Sequence, residues 1–194
     1  MNPPVATNTR EQLLAAAGDL LQRMGFNAFS FRTLGEVVGI SSASIHYHFP
    51  AKADLGLALI EWFRAKQEPD IIALCQRFPN IRDRFVGLAE LIAEETCVHG
   101  KSCPINVFLS EYAQLPEVLQ TAVRTWVEDI ISSLASWLEQ GRHAGELRFP
   151  GDAKIQARLV WSVIEHGTQM ERTNPQQPFL PLMQQLISTM TPTP

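Results

Sequence analysis

The sequence predicts an all-α fold: a small three-helix head followed by a larger helical domain. Apolar residues recur at helical spacing along most of the 194 residues, with no convincing alternating stretch. Ser, Asn, Asp, Pro and Gly fall where those helices would start and stop. The segment 33–52, Thr-Leu-Gly-Glu-Val-Val-Gly-Ile-Ser-Ser-Ala-Ser-Ile-His-Tyr-His-Phe-Pro-Ala-Lys, reads as a helix, a Gly-containing turn and a second short helix.

Thr9 with Gln12 makes a capping-box pattern ahead of Leu13, Leu14, Ala17, Leu20, Leu21 and Met24, a helix ended by Gly25. Phe26, Phe29 and Phe31 come from the connector and are expected to fill the core of the head. Ser30 caps a helix with Leu34, Val37 and Val38 as its buried positions, and Gly39 tolerates the left-handed backbone that closes it. Ile40 plugs the corner. Ser41 caps the next helix, which buries Ile45 and Phe49.

After Pro50, a helix from Ala51 to about Lys66 carries Leu55, Leu57, Leu59, Ile60, Trp62 and Phe63 in a stripe broad enough to touch two neighbours. Pro69 either kinks it or opens a new turn over 70–78. Asn80 caps a helix over 81–99 that Gly100 ends. Pro104 and Pro116 suit first turns of helices over 104–114 and 116–140. A connector over 141–151 follows, and Asp152 caps 153–172. Residues 173–178 break the chain before a last helix over 179–190, with 191–194 expected to fray. The expected domains are 1–50 and 51–194.

Composition excludes some classes of function. The chain is 45% apolar without an uninterrupted apolar run of about 18 residues, so no membrane span is expected. Its Met-Asn-Pro-Pro start has neither the charged nor the apolar region of a signal peptide, and the expected location is cytoplasmic. No Gly-rich phosphate loop, no Ser-His-Asp order with a supporting motif and no Cys-x-x-Cys pair is present, so neither an enzyme nor a cofactor is expected.

The second helix of the 33–52 segment points to DNA. Ser42, Ala43 and Ser44 are small enough to let backbone approach a groove, while His46, Tyr47, His48 and Lys52 supply donors and flat rings. A recognition helix enters the major groove by its N-terminal end, where its dipole also favours phosphate. The net charge of −4 divides unevenly: through Lys52 there are four basic residues (Arg10, Arg23, Arg32, Lys52) against three acidic ones (Glu11, Asp19, Glu36). With so small a basic excess, affinity must come from positioned contacts doubled by symmetry. The expected partner is a double-stranded, palindromic operator bound by a dimer in a salt-sensitive way.

Residues 9–66 resemble the N-terminal domain of the TetR family of transcriptional repressors. The match falls on Thr33, Leu34, Val38, Gly39, Ile40, Ser41, Ser44, Ile45, Tyr47, His48, Phe49, Lys52 and Leu55. Gly35 stands where the family usually has alanine, Ala43 where it often has glycine, and His46 where it usually has tyrosine. The resemblance implies a base contact within reach of Arg32 and phosphate or base contacts from Ser44, Tyr47, His48 and Lys52. The expected DNA-binding set is therefore Arg32, Thr33, Ser42, Ala43, Ser44, His46, Tyr47, His48 and Lys52. It also implies a homodimer through the last two helices, whose Leu159, Val160, Trp161, Val163, Ile164, Leu182, Met183, Leu186 and Ile187 exceed what one monomer needs. Repression relieved by a small molecule bound in the C-terminal domain completes the implied function.

An all-helical domain most readily forms a cavity between helices, and the expected effector lining is Trp62, Phe85, Cys103, Phe108, Trp126, Trp161, His166 and Met170. The stretch Cys97-Val-His-Gly-Lys-Ser-Cys103 admits three readings. A metal site would have only Cys97, His99 and Cys103, one ligand short of a structural zinc, so no metal is expected. As a redox or electrophile sensor, Cys97 and Cys103 would be activated by His99, Lys101 and the helix start at Pro104. The segment 99–116 also resembles a TetR subgroup that responds to electrophiles. The third reading is two small side chains packing a loop, with Cys75 likewise structural.

Overall fold

A computed structural model describes residues 9–192 of the chain; the readings of Met1–Pro4 and of Thr193–Pro194 lie outside the described residues. Among these, the helices are α1 (Thr9–Met24), α2 (Phe31–Val38), α3 (Ser42–His48), α4 (Lys52–Arg77), α5 (Ile81–Ala93), α6 (Pro104–Ser110), α7 (Glu117–His143), α8 (Ala153–Thr173) and α9 (Phe179–Thr189). A π-helical turn, Glu94–Val98, follows α5, and a 3-10 turn, Tyr112–Gln114, follows α6.

The chain divides into two compact units. The first holds residues up to Ala65 together with Pro104–Arg124, and the second holds Lys66–Cys103 with Thr125 onward.

In the first unit, α1 buries Leu13, Leu14, Ala17 and Leu21 against Phe26, Phe29, Leu34, Ile45 and Phe49, all nearly inaccessible to solvent. Gly18 has a packing reason: a Cβ there would lie 2.9 Å from the Trp62 ring. Phe31, expected in this core, is only half-buried and lies edge-on to His46, with ring centroids 4.8 Å apart. Val37, also expected inside, is 58% exposed, because the eight-residue α2 commits only Leu34 and Gly35 to the interior. Gly35 is required by the corner itself, since a Cβ would meet the Ile40 carbonyl oxygen at 2.6 Å.

The second unit has a continuous apolar core from α5, α7, α8 and α9, with Phe85, Leu138, Ala157, Val160, Phe179 and Met183 at its centre. A Cβ at Gly167 would lie 2.8 Å from the Phe179 ring, so this glycine sets the close approach of α8 and α9. Arg84 is buried yet satisfied, donating to the carbonyls of Phe78 (3.0 Å) and Pro79 (3.3 Å) and lying over the Trp137 ring.

The element ends differ from expectation in four places. Pro69 neither breaks nor ends α4; residues 65–70 are all exposed, so water can satisfy the Ala65 carbonyl that proline leaves without a donor. The helix expected over 81–99 leaves α geometry at Glu94, and that expected over 104–114 stops at Ser110. α7 runs through Gly141 to His143, and Gly141 is buried where a Cβ would meet Leu147 at 2.8 Å. Among the described residues, no helix is long and apolar enough to cross a membrane.

Candidate nucleic-acid interface

The corner between α2 and α3 is built by local hydrogen bonds. Ser30 Oγ accepts the Thr33 amide at 3.2 Å while Thr33 Oγ1 accepts the Ser30 amide at 3.4 Å, a reciprocal box that fixes the start of α2. Gly39 closes α2 in the left-handed region at φ 80°, and the Gly39 and Ile40 amides both donate to the Gly35 carbonyl. Ser41 then caps α3 by accepting the Ser44 amide at 3.2 Å. These bonds leave α3 with one buried residue, Ile45, before the buried Phe49 anchors its end.

What α3 leaves outside is the candidate interface. Tyr47 is 86% exposed, an unusual cost for so large a ring, and it lies edge-on to the His48 ring with centroids 5.3 Å apart. Ala43, Ser44 and His46 are exposed as well, and Ser42 and His48 half-exposed. Ser44 Oγ lies 3.0 Å from Ser41 Oγ, and His46 Nδ1 lies 3.2 Å from the Pro50 carbonyl. Arg32 stands on α2 with its guanidinium open to solvent, Nε 3.4 Å from Glu36 Oε1, a pair too exposed to hold it firmly. Thr33 is half-buried and engaged in its capping box.

Lys52 is placed differently from its neighbours in the expected set. Its ammonium turns inward, donates to the Phe29 carbonyl at 2.5 Å, and lies 4.9 and 5.0 Å from the ring centres of Phe26 and Phe29. Burial pulls its pKa below the ordinary lysine value, and the Glu111 carboxylate opposes that shift. Glu111 also accepts the Asn27 amide at 2.9 Å, across 84 residues of sequence. No local pattern could have announced that contact.

The residues expected to line an effector site are spread over both units. In the first, the Trp62 indole donates to Glu11 at 2.7 Å, and Phe108 is fully buried with its ring 5.4 Å from that of Phe26. In the second, Phe85 and Trp126 are buried, Cys103, Trp161 and Met170 half-buried, and His166 exposed. Phe85 stacks edge-on to Trp137.

Cys75, Cys97 and Cys103 are not joined in disulfides and are each half-buried. At Cys97 the expected activation is reversed: burial pushes the thiol pKa up, the neighbouring Glu171 adds to the rise, and the Thr96 hydrogen bond and Arg172 oppose it without prevailing. Among the described residues, no group of three His, Cys, Asp or Glu side chains is placed to hold a metal ion.

Residues 13–59 match the model of the bacterial regulatory proteins, tetR family. A TetR transcriptional regulator from Legionella pneumophila has a crystal structure that superposes with a TM-score of 0.84 at 28% identity, covering 98% of this chain and all of the other. The HTH-type transcriptional repressor BepR of Brucella suis biovar 1 is 23% identical over 165 residues, 82% of this chain and 78% of that protein. The nucleoid occlusion factor SlmA of Vibrio atlanticus is 27% identical over 166 residues, 82% of this chain and 81% of that protein.

Proposed function

We propose that this chain, which belongs to the TetR family of transcriptional regulators, is a repressor that binds a palindromic operator as a homodimer and leaves it when a small molecule occupies the C-terminal domain, residues 51–194. The observation that carries the DNA reading is the outer surface of α3. A capped seven-residue helix presents Ala43, Ser44, His46 and the 86%-exposed Tyr47 to solvent while only Ile45 is buried. Small residues toward the N-terminal end and rings behind them fit a helix inserted end-first into a major groove. Arg32 adds a solvent-exposed guanidinium on α2, loosely paired with Glu36.

The twofold arrangement is supported by α8 and α9. Val160, Ile164, Met183 and Ile187 face the core, while Ile155, Leu159 and Leu182 remain exposed on the same two helices. A soluble protein rarely leaves such a stripe open. Effector control follows the family likeness, and it requires a ligand whose affinity differs between the DNA-competent and released states. Within the second unit, Trp161 and Met170 are the expected lining residues that keep apolar surface available.

The test is selection of duplexes from a random library by the full-length protein. An inverted repeat bound by two chains is the expected product. Absence of any enriched sequence, with binding indifferent to salt, would defeat the reading.

A further inference from the structure

We propose that Glu111 is a positioning residue for DNA binding: from outside the helix-turn-helix, its carboxylate holds the turn between α1 and α2 and thereby the start of α2. The proposal rests on the DNA reading above.

The turn, residues 25–29, is held by two charged side chains, Glu111 and Lys52. Glu111 Oε2 accepts the Asn27 amide at 2.9 Å. Glu111 Oε1 faces Gly25 so closely that a Cβ there would lie 2.4 Å from it, at a residue whose φ of 102° already favours glycine. Between these contacts the Phe26 ring tilts against Phe108 of α6, and Leu119 of α7 comes as close to Gly56 as Phe26 does. Lys52, close enough to feel the Glu111 carboxylate, donates to the Phe29 carbonyl and sits by both phenylalanine rings. The next residue, Ser30, is the cap of α2, and α2 carries Arg32 and packs against α3.

The Asn27 amide is exposed and water would satisfy it, so stability alone does not call for a carboxylate there. What the side-chain acceptor adds is direction, since an oxygen held 2.9 Å from the Asn27 amide fixes where that amide lies, which a mobile water does not. Residue 111 follows α6 directly, so the position of α6 is written into the turn that starts the DNA-reading pair of helices.

The experiment uses full-length protein and the duplex selected by the wild type. Glu111→Ala should bind that duplex about fivefold more weakly, as expected for loss of a charged hydrogen bond acting at a distance, and amide exchange at Asn27 should accelerate. Glu111→Gln keeps an acceptor oxygen and should bind within about twofold of wild type. Glu111→Asp keeps the charge but withdraws the carboxylate by roughly 1.5 Å; it should repeat the loss, which keeps the test decisive if the alanine variant folds poorly. A carboxylate acting only as a negative charge near DNA predicts tighter binding for both Ala and Gln and no change for Asp. That pattern, or wild-type affinity in the Ala and Asp variants, would overturn the proposal while leaving the DNA reading intact. A wild type that selects no duplex defeats the DNA reading, and the proposal with it.

Discussion

The Lys52 ammonium donates to the Phe29 carbonyl at 2.5 Å, tying the first turn of α4 to the residue before the cap of α2. The cation is further held by the rings of Phe26 and Phe29. Lys52→Met keeps the aliphatic stem but loses the hydrogen bond and both ring contacts, and should cost about 1–2 kcal/mol in denaturant unfolding. Because the ammonium is engaged at the Phe29 carbonyl and two rings, the salt dependence of duplex binding should keep its slope. A slope shallower by about 0.9 for each site would instead show Lys52 on a phosphate.

Leu159 of α8 is 54% exposed and Leu182 of α9 is 47% exposed, beside core residues of the same helices. Glutamate at either position can reach solvent in the isolated chain but places a charge in the proposed interface between copies. Leu159→Glu should sediment as a monomer at micromolar concentration, keep its helical circular dichroism and lose operator affinity by about a hundredfold or more. A stable dimer in the variant would move the interface elsewhere.

Burial raises the Glu165 carboxyl from the ordinary 4.5 to about 6. A folded-state pKa above the unfolded one means the folded state binds protons more tightly. The stabilisation is fully present below pH 4.5 and is lost as pH rises through 6. Glu165→Gln removes the titration. It should match wild type near pH 4 and exceed it at pH 7.5 by on the order of 1 kcal/mol, discounted for the solvent the side chain still sees. Urea unfolding at one protein concentration measures this, and a difference independent of pH would contradict it.

Local chemistry was the legible part of this chain. Ser30, Ser41, Asn80 and Asp152 each cap the helix expected of them, and Gly39 takes the left-handed conformation its position suggested. These features depend on neighbours within four residues, so they are visible in the string itself. Val37 and Phe31 were harder, because helical spacing gives the apolar positions of a short helix without saying how many the fold can cover. Pro69 was undecided for a related reason: whether a helix continues through proline depends on access of water to the freed carbonyl, which is set by the tertiary surroundings. Lys52 and Cys97 show the same limit at the candidate sites. Their partners include Glu111 and Glu171, which lie 59 and 74 residues further along the chain.

The most direct test of the central claim, that α3 enters a groove of duplex DNA, is the affinity of Ala43→Glu for the selected operator. Ala43 is exposed in the first turn of α3, where a carboxylate favours the helix through its dipole, so folding should be unharmed. The variant should keep its melting temperature and bind the operator about a hundredfold or more weakly, since the new charge faces phosphates and base edges. Wild-type affinity in this variant would contradict the claim.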